Sequence, residues 1–210
     1  MLEMKEVCLN MGGKQLFNSL SFTVKEGDTL CVSGLKGCGK TTLLRTFMGL
    51  QQAESGYTTI DGELITPLSA AYFRQKMAYL PQDLRLQGTT VAELFMTFAA
   101  LHANEKQQFS KNKLFADWKQ LGVDNGMWGR KLSNIDSSTL QRILLSVATA
   151  PIRSMFLLDE PTSEQDDDGA ERIKNYLTAL KNDTSIMIIA TNDERIKDIF
   201  NKHIVLGNQS

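Results

Sequence analysis

With 210 residues, 42% of them hydrophobic, and a formal net charge of −1, the chain can bury a full core, which excludes a disordered protein. Its 23 basic and 24 acidic residues form no basic block interleaved with aromatics, so no nucleic-acid partner is expected. Cys8, Cys31 and Cys38 have neither metal-like nor disulfide-framework spacing and fit a reducing cytosol. The polar, acidic start is unlike a signal peptide, and no apolar run approaches the roughly 20 residues of a membrane span, so work at a membrane is expected to go through a partner.

Residues 2–9, 20–24 and 29–33 read as strands, with Gly12-Gly13 and Glu26-Gly27-Asp28 as turns. Gly34-Leu35-Lys36-Gly37-Cys38-Gly39-Lys40-Thr41 then matches G-x-x-x-x-G-K-[ST] between an apolar β-rich run and a stretch of helical spacing that reaches Gly49. In that strand–loop–helix context the glycines let backbone N–H groups and the helix N-terminus face a polyphosphate. Lys40 is expected to bridge the β- and γ-phosphates and the Thr41 hydroxyl to ligate magnesium, with Cys38 a small spacer. The chain is therefore expected to bind a nucleoside triphosphate.

Residues 56–65 read as a hairpin around Asp61-Gly62, and residues 76–80 as a strand ended by Pro81. From residue 91 to about 121 the texture is helical, anchored by Phe95, Phe98, Leu101, Phe109, Leu114, Phe115 and Trp118, which predicts a helical insert on an α/β core. A helix over 138–150 is closed by Pro151, and 155–158 is a wholly apolar run suited to a central parallel strand. A helix over 170–180, a buried strand over 185–190, a helix over 193–200 and a strand over 203–206 complete the reading. The apolar strand runs into Asp159-Glu160, which puts two carboxylates at the C-terminal sheet edge where α/β proteins bind ligands. Asp159 suits magnesium, usually through water, and Glu160 suits polarising a water that attacks the γ-phosphate.

The order of these parts resembles the nucleotide-binding domain of ABC ATPases over nearly the whole chain. Gly34 through Thr42 corresponds to the Walker A loop and Met155 through Glu160 to the Walker B strand with its glutamate. Leu80-Pro81-Gln82 looks like the Q-loop, in which Gln82 senses magnesium and the attacking water, and Ser163-Glu164-Gln165-Asp166 stands at the D-loop. The resemblance implies an α/β P-loop NTPase core with a mixed or parallel sheet, an N-terminal antiparallel β-subdomain and a helical subdomain insert. Residues 1–82 and 151–210 would form the catalytic core and about 83–150 the helical part of one domain. It also implies ATP and Mg2+ as cofactors and ATP hydrolysis coupled to transport. The implied partners are an integral-membrane permease and a second ABC subunit in a homodimer or heterodimer, placing the chain on the cytoplasmic face of the membrane.

Three departures from the family pattern stand out. Where a Leu-Ser-Gly-Gly-Gln signature is expected, counting back from Gln141-Arg142 gives Ile135-Asp136-Ser137-Ser138-Thr139; a rival register starts at Leu132-Ser133. In the family this segment caps the γ-phosphate of the opposite subunit, and Asp136 would set a carboxylate against it. Like charges about 4 Å apart cost about 4 kcal/mol even at an effective dielectric of 20. Asp136 or Ser137 also suits capping of the following helix. Asn192 stands where the family has a histidine on the γ-phosphate, and Met11 where an aromatic ring stacks on adenine. Three readings follow: a transport ATPase of weak activity, a nucleotide-gated regulatory module with little hydrolysis, or a soluble ABC protein acting on nucleic acid or ribosomes. The balanced charge weighs against the last.

Overall fold

Alternating burial shapes the first element. In the computed structural model, which describes residues 1–83, 88–101 and 109–207, β1 (Leu2–Met11) turns Leu2, Met4, Val7 and Leu9 inward. The alternation slips between Met4 and Val7 at a bulge, where Glu6 takes a φ of 50°. After the Gly12-Gly13 turn comes β2 (Lys14–Val24), longer than the predicted 20–24 because its antiparallel pairing with β1 runs from Val24 back to Lys14. Then follow β3 (Thr29–Gly34), α1 (Lys40–Phe47), β4 (Ser55–Ile60), β5 (Glu63–Leu64), α2 (Ala70–Arg74) and β6 (Met77–Leu80). β1, β2, β4 and β5 make an antiparallel sheet in the order β2-β1-β4-β5.

The helical stretch resolves into α3 (Val91–Ala99) and α4 (Lys111–Leu121); residues 102–108, within the predicted run, lie outside the described residues. Phe95, Leu114 and Trp118 are buried, and Phe98, Phe109 and Phe115 pack against them, as their spacing predicts. Leu101 is a correction: it is 47% exposed, one residue past the C-cap of α3, where no turn of helix remains to hold it inward. Next come α5 (Ser137–Thr149), β7 (Met155–Asp159), α6 (Asp167–Leu180), β8 (Ile186–Ala190) and β9 (Lys202–Leu206). Residues 193–200, expected as an α-helix, form a 3-10 helix over Glu194–Ile199.

The second sheet is parallel, in the order β6-β7-β8-β3-β9. β7 and β8 are buried along their whole length, as strands covered on both faces require. One apolar cluster gathers β1, β2, α1 and one face of this sheet; a second joins the other face to α3, α4, α5 and α6. The sheet register sets β3, β7 and β8 side by side, so the loops leaving them share one edge.

Gly56, at φ +76°, passes so close to the Glu6 bulge that a Cβ would collide with the Glu6 carbonyl. Gly56→Ala should destabilise the protein by roughly 2–3 kcal/mol, combining a strained φ with an overpacked backbone contact. A urea midpoint lowered at unchanged slope would report it; an unchanged midpoint would mean that the two strands shift apart at no cost.

Candidate functional site

The phosphate loop leaves β3 at Gly34 and enters α1 at Lys40. Gly34 has φ +144°, and a Cβ there would lie 2.5 Å from the Leu206 carbonyl oxygen and 2.7 Å from the Cys38 sulfur. Only glycine lets the loop pass this close to β9. Cys38 is 6% exposed and fills the space beneath the loop, in keeping with a spacer. Leu35, Lys36 and Gly37 are exposed at the loop apex, and Thr42 continues α1 half-buried.

The start of α1 differs from every other described helix of eight or more residues. Thr90, Ser110, Asp136 and Asp166 cap α3, α4, α5 and α6 with side-chain acceptors. α1 begins after Gly39 with no side-chain cap and no acidic residue in its first turn. Its leading N–H groups and the positive end of its dipole are left for an external anion.

Two carboxylates face this helix end. The Lys40 ammonium donates to the Gly34 carbonyl at 3.0 Å and lies 3.4 Å from Glu160 Oε1. Glu160 follows β7 directly and holds a left-handed φ of 48°, pinned by its N–H to the Ala190 carbonyl at 2.8 Å. The Thr41 hydroxyl donates to Asp159 Oδ2 at 2.6 Å. Asp159 is 1% exposed and its other oxygen, Oδ1, is buried with no hydrogen-bond partner. Burial pushes this carboxyl up and neighbouring Glu160 pushes the same way, while the Thr41 hydroxyl pulls it down. An unpartnered buried carboxylate oxygen beside a hydroxyl fits a magnesium ion. No cluster of three His, Cys, Asp or Glu among the described residues could hold a metal, so such an ion would complete its shell from phosphate and water.

Beside the loop opens a cavity of about 550 Å³ lined by β2, the phosphate loop, Asn192 and the end of β9. Leu16, Phe17, Leu20 and Val205 supply apolar wall, while Lys14 reaches the loop apex and donates to the Gly37 carbonyl at 3.2 Å. Met11, expected beside the base, is 46% exposed on β1 and does not line this cavity. Gln82 is exposed two residues beyond β6. Asn192 turns toward the loop: its Oδ1 accepts from the Gly34 N–H at 3.0 Å and its Nδ2 donates to the Gly34 carbonyl at 2.9 Å.

At the start of α5, Asp136 accepts the Thr139 N–H at 2.8 Å, and this bond holds its carboxyl below the usual range. Leu132–Asn134 of the rival register forms a separate 3-10 turn, so the α-helical N–H groups begin after Asp136. Ser137 is exposed, Thr139 accepts from Arg142 at 3.2 Å, and Ser138 turns inward, its hydroxyl donating to Gln165 Oε1 at 3.0 Å. Gln165 in turn donates to Ser138 O and Gln141 Oε1, and Gln141 Nε2 donates to the Glu160 carbonyl at 3.1 Å. This buried chain of amides joins α5 to the Glu160 turn. Sequence reasoning missed it, along with Lys14; a polar residue facing inward on an apolar helix was the only signal for Gln141.

With this geometry in place, the family becomes evident. The ABC transporter family model matches residues 17–163, and the chain belongs to the ABC transporter family. The ABC transporter ATP-binding protein YxdL of Bacillus subtilis (strain 168) is 26% identical over 213 residues, spanning 98% of this chain and 82% of that protein. The ergothioneine transport ATP-binding protein EgtV of Helicobacter pylori (strain G27) is 26% identical over 191 residues, spanning 90% of this chain and 89% of that one. In fold, the dimeric structure of MJ0796, a bacterial ABC transporter cassette, matches with a TM-score of 0.83 at 20% identity, covering 98% and 94% of the two chains. The chain is an ABC transporter ATP-binding protein with an ATPase fold.

Since ionised Asp159 is buried, its folded-state pKa exceeds its unfolded value, and the apo protein loses stability as pH rises between the two. Asp159→Asn should raise the apo Tm by roughly 2–4 °C, as about 1 kcal/mol does for a domain of this size, while abolishing magnesium-dependent stabilisation by ATP. A lowered apo Tm in calorimetry would show that the charge is not costly. Asp193 behaves oppositely: Arg195 hydrogen bonds hold it down to about 2. Its contribution is complete above the unfolded carboxylate value near 4 and fades as pH falls toward 2, so Asp193→Asn should flatten the acid limb of the stability curve.

Proposed function

We propose that this chain is the energy-coupling subunit of a membrane transporter, binding ATP with magnesium and hydrolysing it slowly in a head-to-tail dimer. The observation that carries the reading is the arrangement at the end of β7: Glu160 within reach of Lys40 and Asp159 bonded to Thr41, both facing the uncapped α1. A triphosphate on the loop would draw Lys40 away from Glu160, leaving that carboxylate to orient and polarise the attacking water. Asp159 and Thr41, with Gln82, would hold magnesium, which supplies charge neutralisation across the β- and γ-phosphates.

Hydrolysis would be weak because of α5. Asp136 already occupies the Thr139 N–H in its first turn, and its carboxylate would face the γ-phosphate of an opposite subunit. Ser137, Ser138 and Thr139 would complete that trans contact, with Ser138 held inward by Gln165. In a homodimer both sites carry this defect; a second, different ABC subunit with a competent signature would relieve one of them. The relatives named for transport support a permease partner and a place on the cytoplasmic face of the membrane. No described helix is long and apolar enough to cross a membrane itself.

A nucleotide-gated regulatory module is the second reading, favoured by Asp136 together with Asn192 in the place of a histidine. Steady-state ATPase measurements separate the two. Turnover in the wild type should fall at least tenfold in Glu160→Gln and rise several-fold in Asp136→Ser, where the serine keeps the helix capped without the charge. Equal rates in wild type and Glu160→Gln would favour the regulatory module.

A further inference from the structure

Three groups converge on the backbone of Gly34. Its N–H donates to Asn192 Oδ1 at 3.0 Å, and its carbonyl accepts both Asn192 Nδ2 at 2.9 Å and the Lys40 ammonium at 3.0 Å. The primary amide suits this pairing, since it offers one acceptor and one donor to the N–H and C=O of a single residue. Asn192 is exposed, but its backbone is anchored on both flanks. The Thr191 N–H donates to Val32 of β3, and the Asp193 carboxylate accepts from Thr162 at 2.6 Å and from Arg195 at 2.8 Å.

From this geometry we infer that Asn192 is a positioning residue for the phosphate loop, acting on nucleotide binding as a whole through Gly34 and not as a sensor of the γ-phosphate. The Lys40 ammonium has three N–H donors and places one of them on the Gly34 carbonyl. A half-buried carbonyl without a donor is destabilised, and here Asn192 Nδ2 satisfies that oxygen independently of where the lysine turns. The Asn192 Oδ1 bond meanwhile holds the Gly34 N–H, so the first residue of the loop keeps its direction as the ligand arrives. A histidine could not do both at once, because its two ring nitrogens point in divergent directions.

The inference rests on the reading that ATP occupies this loop, and the test keeps the two separable. Affinities of MgATP and MgADP are measured for wild type and Asn192→Ala by calorimetric titration, with amide hydrogen exchange of Gly34 followed by NMR in the apo protein. Both affinities should weaken about fivefold together, as expected for two lost hydrogen bonds of modest net value, and Gly34 exchange should speed up by a similar factor. Loss of ATP affinity with ADP affinity kept would overturn the inference in favour of a γ-phosphate contact. No change in either affinity would overturn it outright. A wild type that binds neither nucleotide would instead overturn the reading beneath it. Should Asn192→Ala fail to fold, Asn192→Asp decides: it keeps the acceptor, so Gly34 exchange must stay slow, and fast exchange there would sink the proposal.

Discussion

The state of the Lys40 ammonium governs the site. A cation 10% exposed must be paired, and its partners are the Gly34 carbonyl and the Glu160 carboxylate. Both belong to residues that the parallel sheet places: β3 ends at Gly34, β7 ends at Asp159, and β8 between them holds the Glu160 N–H through Ala190. On the proposed reading a triphosphate would offer the ammonium further acceptors and so free Glu160. The loop, the strand ends and the left-handed turn at Glu160 together set this pairing.

Two helix N-termini in this chain show the same physics put to opposite ends. α1 leaves its leading N–H groups without any side-chain acceptor, which makes it an anion site. α5 has one of its own, that of Thr139, capped by Asp136, whose carboxyl is held below the usual range by that bond. One helix start is without a side-chain cap and the other carries a carboxylate.

The amide chain from Ser138 through Gln165 and Gln141 to the Glu160 carbonyl ties these two ends together. Gln141 and Gln165 are each 8% exposed, and in such surroundings an unpaired amide is costly. Displacement of α5 would therefore be felt at the Glu160 turn. The helical half and the sheet edge are coupled by buried polar bonds as well as by apolar packing.

Much of this was legible in the residues. The phosphate loop and Asp159-Glu160 read directly because their chemistry is local: each lies on a few consecutive residues at a strand end, where glycine spacing and apolar runs set the backbone. Asp136 as a helix cap was legible for the same reason. The sequence determined by itself the phosphate loop of a nucleotide-binding protein on an α/β core, and a carboxylate at the cap of the helix over 138–150. What required the tertiary structure were contacts between residues distant in the chain. Asn192 meets Gly34 across 158 positions, and Lys14 meets Gly37 across the gap between two sheets. Local pattern could assign Asn192 to the end of a strand, but only the pairing of β8 with β3 brings its amide onto Gly34. The adjacency of strands is set by burial of whole faces, which no short window of sequence contains.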